Sequence, residues 1–333
     1  MTALLSQFGV VDEVTYGTAV AVTRFFETNG VPTIRPEMER AEADTLRAGS
    51  RVQSSLSFAP YSTGGVGTVN MPVPTKGFGW WLKHMLGTVA SGSVVDSNYT
   101  HTGTLGSLLG DFFTAQVGRP FAGSSAAAQP FTGEGGKITS WELSCDVDGL
   151  LTFTAELDFE DVSVATSGAY ALQTASYPSG ALVFSFTGAA LTIGGSSFEV
   201  KNLTIGCDNG LDVDRRFLRG SGLKKEPLES AKREITFDCE AEFGSLTEYN
   251  RYVNTAAAST MAALVATFTG PVAHAGATLP TLVVTIPAAR FDNVDLSEGD
   301  NGATIMQSIS GVARDNLSAS PITIAYTTTD ATP

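Results

Sequence analysis

The chain is short of positive charge. Its 333 residues carry 34 Asp and Glu against 20 Lys and Arg, a formal net charge of −14 at pH 7. A surface of that sign repels nucleic-acid phosphates and anionic membranes, and no basic stripe or tail offsets it. Cysteine is scarce too: Cys145, Cys207 and Cys239 form an odd, widely spaced set with no CxxC or CxxH pair. That excludes a zinc site of the usual spacing and points to reduced thiols at apolar strand positions, made in a reducing cytoplasm. The three histidines, His84, His101 and His274, form no HExxH or HxH motif and are expected at the surface or its boundary. No serine sits in a GxSxG elbow. The longest apolar runs, such as Met261–Phe268, are too short to span a bilayer. The N-terminal MTALLSQFGVVDEVTYG lacks a basic n-region and meets Asp12 and Glu13 early, unlike a signal peptide. The expectation is a soluble chain outside the classical export route, in which the sequons at Asn98, Asn202 and Asn316 carry little weight.

Strand patterning is what the chain does have. Trp141–Asp148 alternates Trp141, Leu143, Cys145 and Val147 with Glu142, Ser144, Asp146 and Asp148. Leu151–Glu160 sets Leu151, Phe153, Ala155, Leu157 and Phe159 against Thr152, Thr154, Glu156, Asp158 and Glu160. Ile235–Phe243 repeats the pattern, with Thr236, Asp238, Glu240 and Glu242 outward. Side chains in a strand alternate between faces, so each stretch has one apolar and one acidic face. Nine carboxylates and no Lys or Arg occupy these polar faces. Neighbouring like charges destabilise a sheet, so a chain that keeps them has a use for a negative wall.

Further strands are expected at 181–187, 197–207, 263–269, 281–287 and 321–327, with Asp148-Gly149 and Asn209-Gly210 as turns. Abundant Gly, Ser, Thr and Ala and few amphipathic helical stretches fit a mainly β chain, as one large domain or two ordinary ones. A helix is predicted over 76–86, capped by Thr75 and stopped at Gly87. A second is predicted over 246–257, with Ser245 and Glu248 as a capping box and Leu246, Tyr249, Tyr252 and Val253 as its apolar face. Residues 1–30 read as an arm, 35–57 as a long exposed loop or hairpin, 88–136 as a strand-and-loop insertion, and 288–333 as a C-terminal segment. ITSWELSCDVDGL at 138–150 echoes VKNLTIGCDNGL at 200–211, as two similar hairpins would.

Chemistry has few footholds. Glu156 and Asp158 share a face, but glycosidase chemistry also needs a cleft and aromatic platforms, and the aromatics lie on the opposite faces. The glycines at 64–67 and 220–222 match no phosphate loop and read as flexible turns. Oxygen-rich stretches at 208–214 and 292–300 miss the EF-hand order, leaving structural calcium as an outside alternative. No catalytic residue, cofactor or metal ligand is assigned. The scarce cations gather in Arg215, Arg216, Arg219, Lys224 and Lys225, with Lys232 and Arg233 beyond. They read either as a subunit-pairing segment or as local charge balance on a solvated loop.

YGTAVAVTRFFE, GFGWWLKHMLG, NYTHTGT, GKITSWELSCDVDGLLTFTAELDFED, DNGLDVDRRFLRGSGLKKEPLESAKREITFDCEAEF, LTEYNRYV and IPAARFDNVDLSEGDNGATIMQSISGVARDN run in an order that resembles the tail tube (major tail) proteins of long-tailed bacteriophages. The resemblance covers most of the chain and rests on element order and turns. It implies a β-sandwich or barrel-like domain with one or two flanking helices, whose sheets join into an inner β-barrel within a hexameric ring. It further implies stacked rings, bridged by the N-terminal arm, the 35–57 loop and the C-terminal segment, that conduct double-stranded DNA without specific binding. The implied partners are further copies and tape-measure, terminator and distal tail proteins, with no membrane anchoring. The implied location is the virion tail, after synthesis in the host cytoplasm. On that footing Glu142, Asp146, Asp148, Glu156, Asp158, Glu160, Asp238, Glu240 and Glu242 are expected to line the lumen. The competing expectations are a β-rich capsid decoration or adhesin-like module, and a carbohydrate-active enzyme.

Overall fold

Alternating apolar and polar residues write most of this chain as strands; pairing then decides which become neighbours. The computed structural model describes residues 3–94, 96–121, 128–253, 261–297 and 303–333. From the N-terminus, β1 (Gln7–Asp12), β2 (Arg24–Phe26), β3 (Thr33–Glu42) and β4 (Phe58–Pro72) lead to helix α1 (Gly79–Leu86). Then come β5 (Gly87–Ser93), β6 (Tyr99–Leu105), β7 (Phe113–Arg119), β8 (Gln129–Asp146), β9 (Thr152–Phe159) and β10 (Asp161–Ser163). After a long irregular stretch follow β11 (Ala189–Ile193), β12 (Ser196–Ser197), β13 (Asn202–Asp208), β14 (Leu211–Asp212), β15 (Leu228–Glu229) and β16 (Glu234–Glu242). Helix α2 (Thr247–Val253), β17 (Ala262–Thr269), β18 (Thr281–Leu296), β19 (Met306–Ala313) and β20 (Thr323–Thr328) complete the chain.

Every described strand pairing is antiparallel. One run of neighbours is β3-β4-β9-β8-β13-β16-β19-β18. A second is β11-β17-β18-β20-β6-β5. A third is β2-β1-β7-β8-β10. The long strands β8 and β18 each belong to two runs, so the sheet turns corners without breaking.

The interior of these runs holds α1. All of its residues except Lys83 are buried, as expected of a helix apolar on most of its circumference. Trp81 is fully buried, its ring centroid 5.2 Å from Phe153 of β9 and 5.5 Å from Phe26 of β2. Phe78, just before the helix, meets Phe153 at 5.3 Å and Tyr326 of β20 at 6.0 Å. The helix therefore fills the core instead of flanking it. Thr75 does not cap it: the Thr75 hydroxyl accepts from the Leu182 N–H at 2.9 Å, and the helix starts at Phe78 with no side-chain cap. Gly87 does end it, in the left-handed conformation at φ 92°, where a Cβ would lie 2.6 Å from the Gly106 carbonyl oxygen.

Several segments depart from expectation. Residues 88–136 carry strands as expected, β5–β7 and the start of β8, but they build core: Phe113, Ala115 and Val117 are fully buried. The 181–187 strand reduces to isolated bridges at Val183 and Ser185, and β19 was not anticipated. Val147 is 50% exposed because β8 ends at Asp146 and the turn carries Val147 and Asp148 out of the ladder. In α2 the Ser245 Oγ accepts from the Thr247 N–H at 3.3 Å, but Glu248 bonds Arg251 at 2.9 Å instead of closing a capping box. Leu246, Tyr252 and Val253 of its expected apolar face are exposed, and residues 254–257 lie outside the described residues. The two echoing segments are not matching hairpins. They run antiparallel side by side, Leu143 opposite Ile205 and Cys145 opposite Leu203, as β8 and β13. Gly65 lies inside β4, not in a flexible turn, where a Cβ would meet Val162 at 2.3 Å.

Trp81→Ala removes the ring at the centre of this aromatic cluster. A loss of about 3–5 kcal/mol is expected, read as a lower denaturant midpoint with the slope unchanged.

Candidate functional site: an acidic sheet face

Cross-strand partners in an antiparallel ladder share a face, so the register places every side chain. The inward faces of β8, β9, β13 and β16 carry Leu143, Phe153, Ile205 and Phe237, all in the core. Their outward faces form rungs. One runs Thr68, Glu156, Ser140, Asp208 and Glu234 across β4, β9, β8, β13 and β16. The next runs Asn70, Thr154, Glu142, Gly206 and Thr236. Thr152, Ser144, Thr204, Asp238 and Ser310 follow, and then Asp146, Asn202, Glu240 and Ser308. These positions carry no Lys or Arg.

The rungs solve a problem that the alternation only posed. Glu156 lies between Thr68 and Ser140, Glu142 between Thr154 and Gly206, Asp238 between Thr204 and Ser310, and Glu240 between Asn202 and Ser308. Each of these carboxylates faces a neutral residue on both neighbouring strands. Glu156 also accepts a hydrogen bond from the Thr68 hydroxyl at 2.8 Å. Asp208 opposite Glu234 is the exception, and both residues extend the face beyond the expected set. In the sequence Asp208 reads as the start of the 208–214 oxygen-rich stretch and Glu234 as the first residue of a strand over 234–243; only their cross-strand pairing brings them onto this face. Glu142, Asp146, Glu156, Asp238 and Glu242 are exposed on this face, and Glu240 is half-buried. Partial burial raises the Asp238 pKa from its ordinary value. Asp148 is exposed in the turn beyond β8 at φ 63°, outside the ladder.

Asp158 and Glu160 do not join the open face, because other residues cover them in the subunit. Asp158 is 3% exposed, and its Oδ1 accepts from the Lys224 ammonium. Burial raises its pKa against the pull of Lys224. Beside it in register lies Lys137, also buried, which pairs with Glu226 at 2.6 Å. Arg216 donates to the carbonyls of Thr63 at 2.8 Å and Gly222 at 2.6 Å. Arg219 donates to the carbonyls of Leu223 at 3.0 Å and Lys224 at 3.2 Å. Residues 213–226 thus form a strap across one end of the polar face. Most of the basic cluster expected to reach another subunit is engaged within its own: Lys224 and Arg216 by these bonds, Arg215 by one to the Glu226 carbonyl. Lys225 is exposed, with its ammonium 4.9 Å from the centre of the Phe217 ring.

Glu160 sits in a pocket of like charge. A Cβ on Gly17 would lie 1.4 Å from its Oε2, so only glycine, here at φ +70°, leaves room. Burial first, then the charge of Glu134, pushes the Glu160 pKa up to about 7. Arg219 stands 3.9 Å away and pulls weakly in the opposite sense. Glu13 is held by Thr114 Oγ1 at 2.7 Å and by the N–H groups of Gly135 at 2.9 Å and Gly17 at 3.1 Å. Burial still raises its pKa.

This arrangement offers little to covalent chemistry. Glu156 is open and Asp158 is sealed under Lys224, so the two carboxyls do not flank one substrate. His84 and His101 are buried, contrary to expectation: His84 Nε2 lies 2.8 Å from Asp12 Oδ1, and His101 Nε2 lies 2.9 Å from the Asp330 carbonyl. Asp208 and Asp212 accept from the N–H groups of Gly210 and Asp214, which closes the 208–214 turns on themselves. Among the described residues no group of three or more His, Cys, Asp and Glu is placed to hold a metal. Burial pushes the Cys207 and Cys239 thiols up to about 12.

A family model described as phage tail tube protein matches residues 4–313. No curated protein matches the chain.

Lys224→Ala leaves the Asp158 carboxylate buried without its partner. A loss of about 3–5 kcal/mol is expected, read as a lower urea midpoint. The raised Glu160 pKa gives the opposite of ordinary acid sensitivity. A carboxyl whose folded pKa exceeds its unfolded value stabilises the fold below the ordinary carboxylate range, and that contribution disappears as pH rises through about 7. Thermal melting is expected to drop as pH rises from about 4.5 to about 7 and to level off above, and Glu160→Gln to flatten that slope.

Proposed function

The chain belongs to the phage tail tube protein family, and from that premise we propose that it forms stacked hexameric rings whose lumen is walled by the open acidic face. It is a structural protein of the virion tail and not an enzyme. In the proposed tube Glu142, Asp146, Glu156, Asp208, Glu234, Asp238, Glu240 and Glu242 face the passing double-stranded DNA, with Asp148 at the rim. Asp158 and Glu160 stay inside the subunit.

One observation carries this reading: the open rungs of the polar face over β9, β8, β13 and β16, from Glu156 and Glu234 to Asp146 and Glu240, bear carboxylates and no cation, Lys137 lying beyond them and buried beside Asp158. Proteins hold DNA by neutralising phosphates with Lys and Arg, and a wall without them offers no purchase. Screening confines the repulsion to about 8 Å at physiological salt, so it acts on DNA that drifts against the wall. Ring closure would also cover free sheet edges such as β3, which among the described residues pairs only with β4. The β3–β4 hairpin projects with Leu46, Val52 and Leu56 exposed near its tip. We assign it to contact with the adjacent ring, and the tape-measure, terminator and distal tail proteins to the ends of the tube.

Reversing the wall tests the reading. Tubes of the Glu142→Lys/Glu156→Lys/Asp238→Lys variant are expected to assemble and to retain linear double-stranded DNA on the order of tenfold more than wild type, losing the excess as salt rises. A tube reconstruction with these carboxylates on the outer surface refutes it.

A further inference from the structure

The strap ends in an exposed apolar tip. Leu218 is 110% and Phe217 52% exposed. Lys225 and Arg215 lie 4.9 and 5.9 Å from the Phe217 ring centre, flanking the apolar tip with positive charge. Arg219 and Lys225, both exposed, form a cationic collar in a chain where cations are few. The tip lies beyond the Phe159 end of β9, since the strap's Gly222 carbonyl accepts from the Thr63 N–H, next to the Gly65–Phe159 pair.

The opposite end of the same sheet has a socket. Where β8 and β13 end at Asp146 and Asn202, the sheet and β11 diverge around a cavity of about 320 Å³. Leu191, Leu203 and Phe268 are buried at its base, and Phe186, Phe198 and Val147 stand partly exposed around it. Its rim carries Asp146 and Glu199, with Lys201 as the one cation. The exposure of Val147 thus belongs to this apolar opening. β13 spans the interval between the two features, its Asn202 end at the socket and its Asp208 end leading to the strap. At ~3.3 Å per residue they stand roughly 20 Å apart along the strands.

We propose that the Phe217–Leu218 tip of one copy seats in the socket of a second copy in the adjacent ring. The inference rests on the ring-stacking reading above and specifies its contact. Tip and socket match in polarity, apolar to apolar, and in charge, a cationic collar against Asp146 and Glu199. They sit at opposite ends of one subunit. A contact between them is therefore head-to-tail and leaves a free tip at one end of the stack and a free socket at the other, which lets the stack grow. The basic cluster then has two roles. Arg216, Lys224 and Arg219 anchor the strap inside the subunit, Arg219 through the Leu223 and Lys224 carbonyls, while Lys225 faces the neighbour with the exposed charge of Arg219 behind it.

The test uses the full chain, with stacking read by sedimentation and negative-stain microscopy. Phe217→Ser/Leu218→Ser changes only exposed side chains, and an unchanged circular dichroism spectrum confirms its fold. It is expected to leave rings intact and to cut pelletable tubes on the order of tenfold or more. Lys225→Glu is expected to lower the tube fraction, and adding Glu199→Lys to restore it. Tubes of wild-type abundance from Phe217→Ser/Leu218→Ser, or a Lys225→Glu defect that Glu199→Lys fails to restore, overturn the contact while ring stacking stands. A wild-type chain that forms neither rings nor tubes overturns the stacking reading, and this contact with it.

Discussion

The antiparallel register that β8 holds with β9 on one side and β13 on the other governs the rest of the molecule. It sets Leu143 opposite Phe153 and Ile205 towards the core, and Glu142 opposite Thr154 and Gly206 away from it. A one-residue slip in either pairing would carry carboxylates into the aromatic interior around Trp81. The burial of α1 therefore depends on the sheet keeping this register, and the helix in turn braces the inward faces of β2, β7, β9 and β20.

The same register reconciles a high density of carboxylates with a stable sheet. Glu142, Glu156, Asp238 and Glu240 each face neutral residues on both neighbouring strands, so the closest cross-strand repulsions are absent at those positions. Where the face continues along β9 past Glu156, charge is handled by cover. The strap brings Lys224 to Asp158, and Lys137 rises beside it to Glu226. One chain thus contains an open acidic surface, whose charges remain available to act at a distance, and a closed ionic layer that ties a segment down. For a tube subunit the first suits the lumen and the second stiffens the subunit.

Much of this was legible in the residues. The alternation read over Trp141–Asp148, Leu151–Glu160 and Ile235–Phe243 matches the faces of β8, β9 and β16 as far as Asp146, Leu157 and Glu242, because a period of two is a local property of a half-buried strand, and fails at Val147, Asp158 and Glu160. Helix α1 was visible from the spacing of Trp81, Leu82, Met85 and Leu86. Residues 88–136 were harder: β5 and β6 are rich in Gly, Ser and Thr, and their strand character comes from pairing with each other and with β20, not from their own apolar pattern. The histidines misled for a related reason. His84 and His101 are buried because each finds a partner far away in the chain for its Nε2 atom, Asp12 for His84 and the Asp330 carbonyl for His101.

By itself the sequence determined the class of structure, the two-sidedness of its strands, the negative charge of the outward side and the resemblance to tail tube proteins. Each follows from composition, local periodicity or the order of segments, and none requires knowing which strand lies beside which. Tertiary structure alone decided that β8 and β13 are neighbours, that Asp208 and Glu234 join the acidic face, and that Asp158 and Glu160 leave it. It also turned the basic cluster into a strap with an apolar tip at one end of the sheet, opposite a socket at the other. Those outcomes depend on contacts between residues distant in the chain, such as Lys224 with Asp158 and Gly17 with Glu160. Hydrogen-bond register and exclusion of side-chain volume select such contacts only once the whole chain has packed.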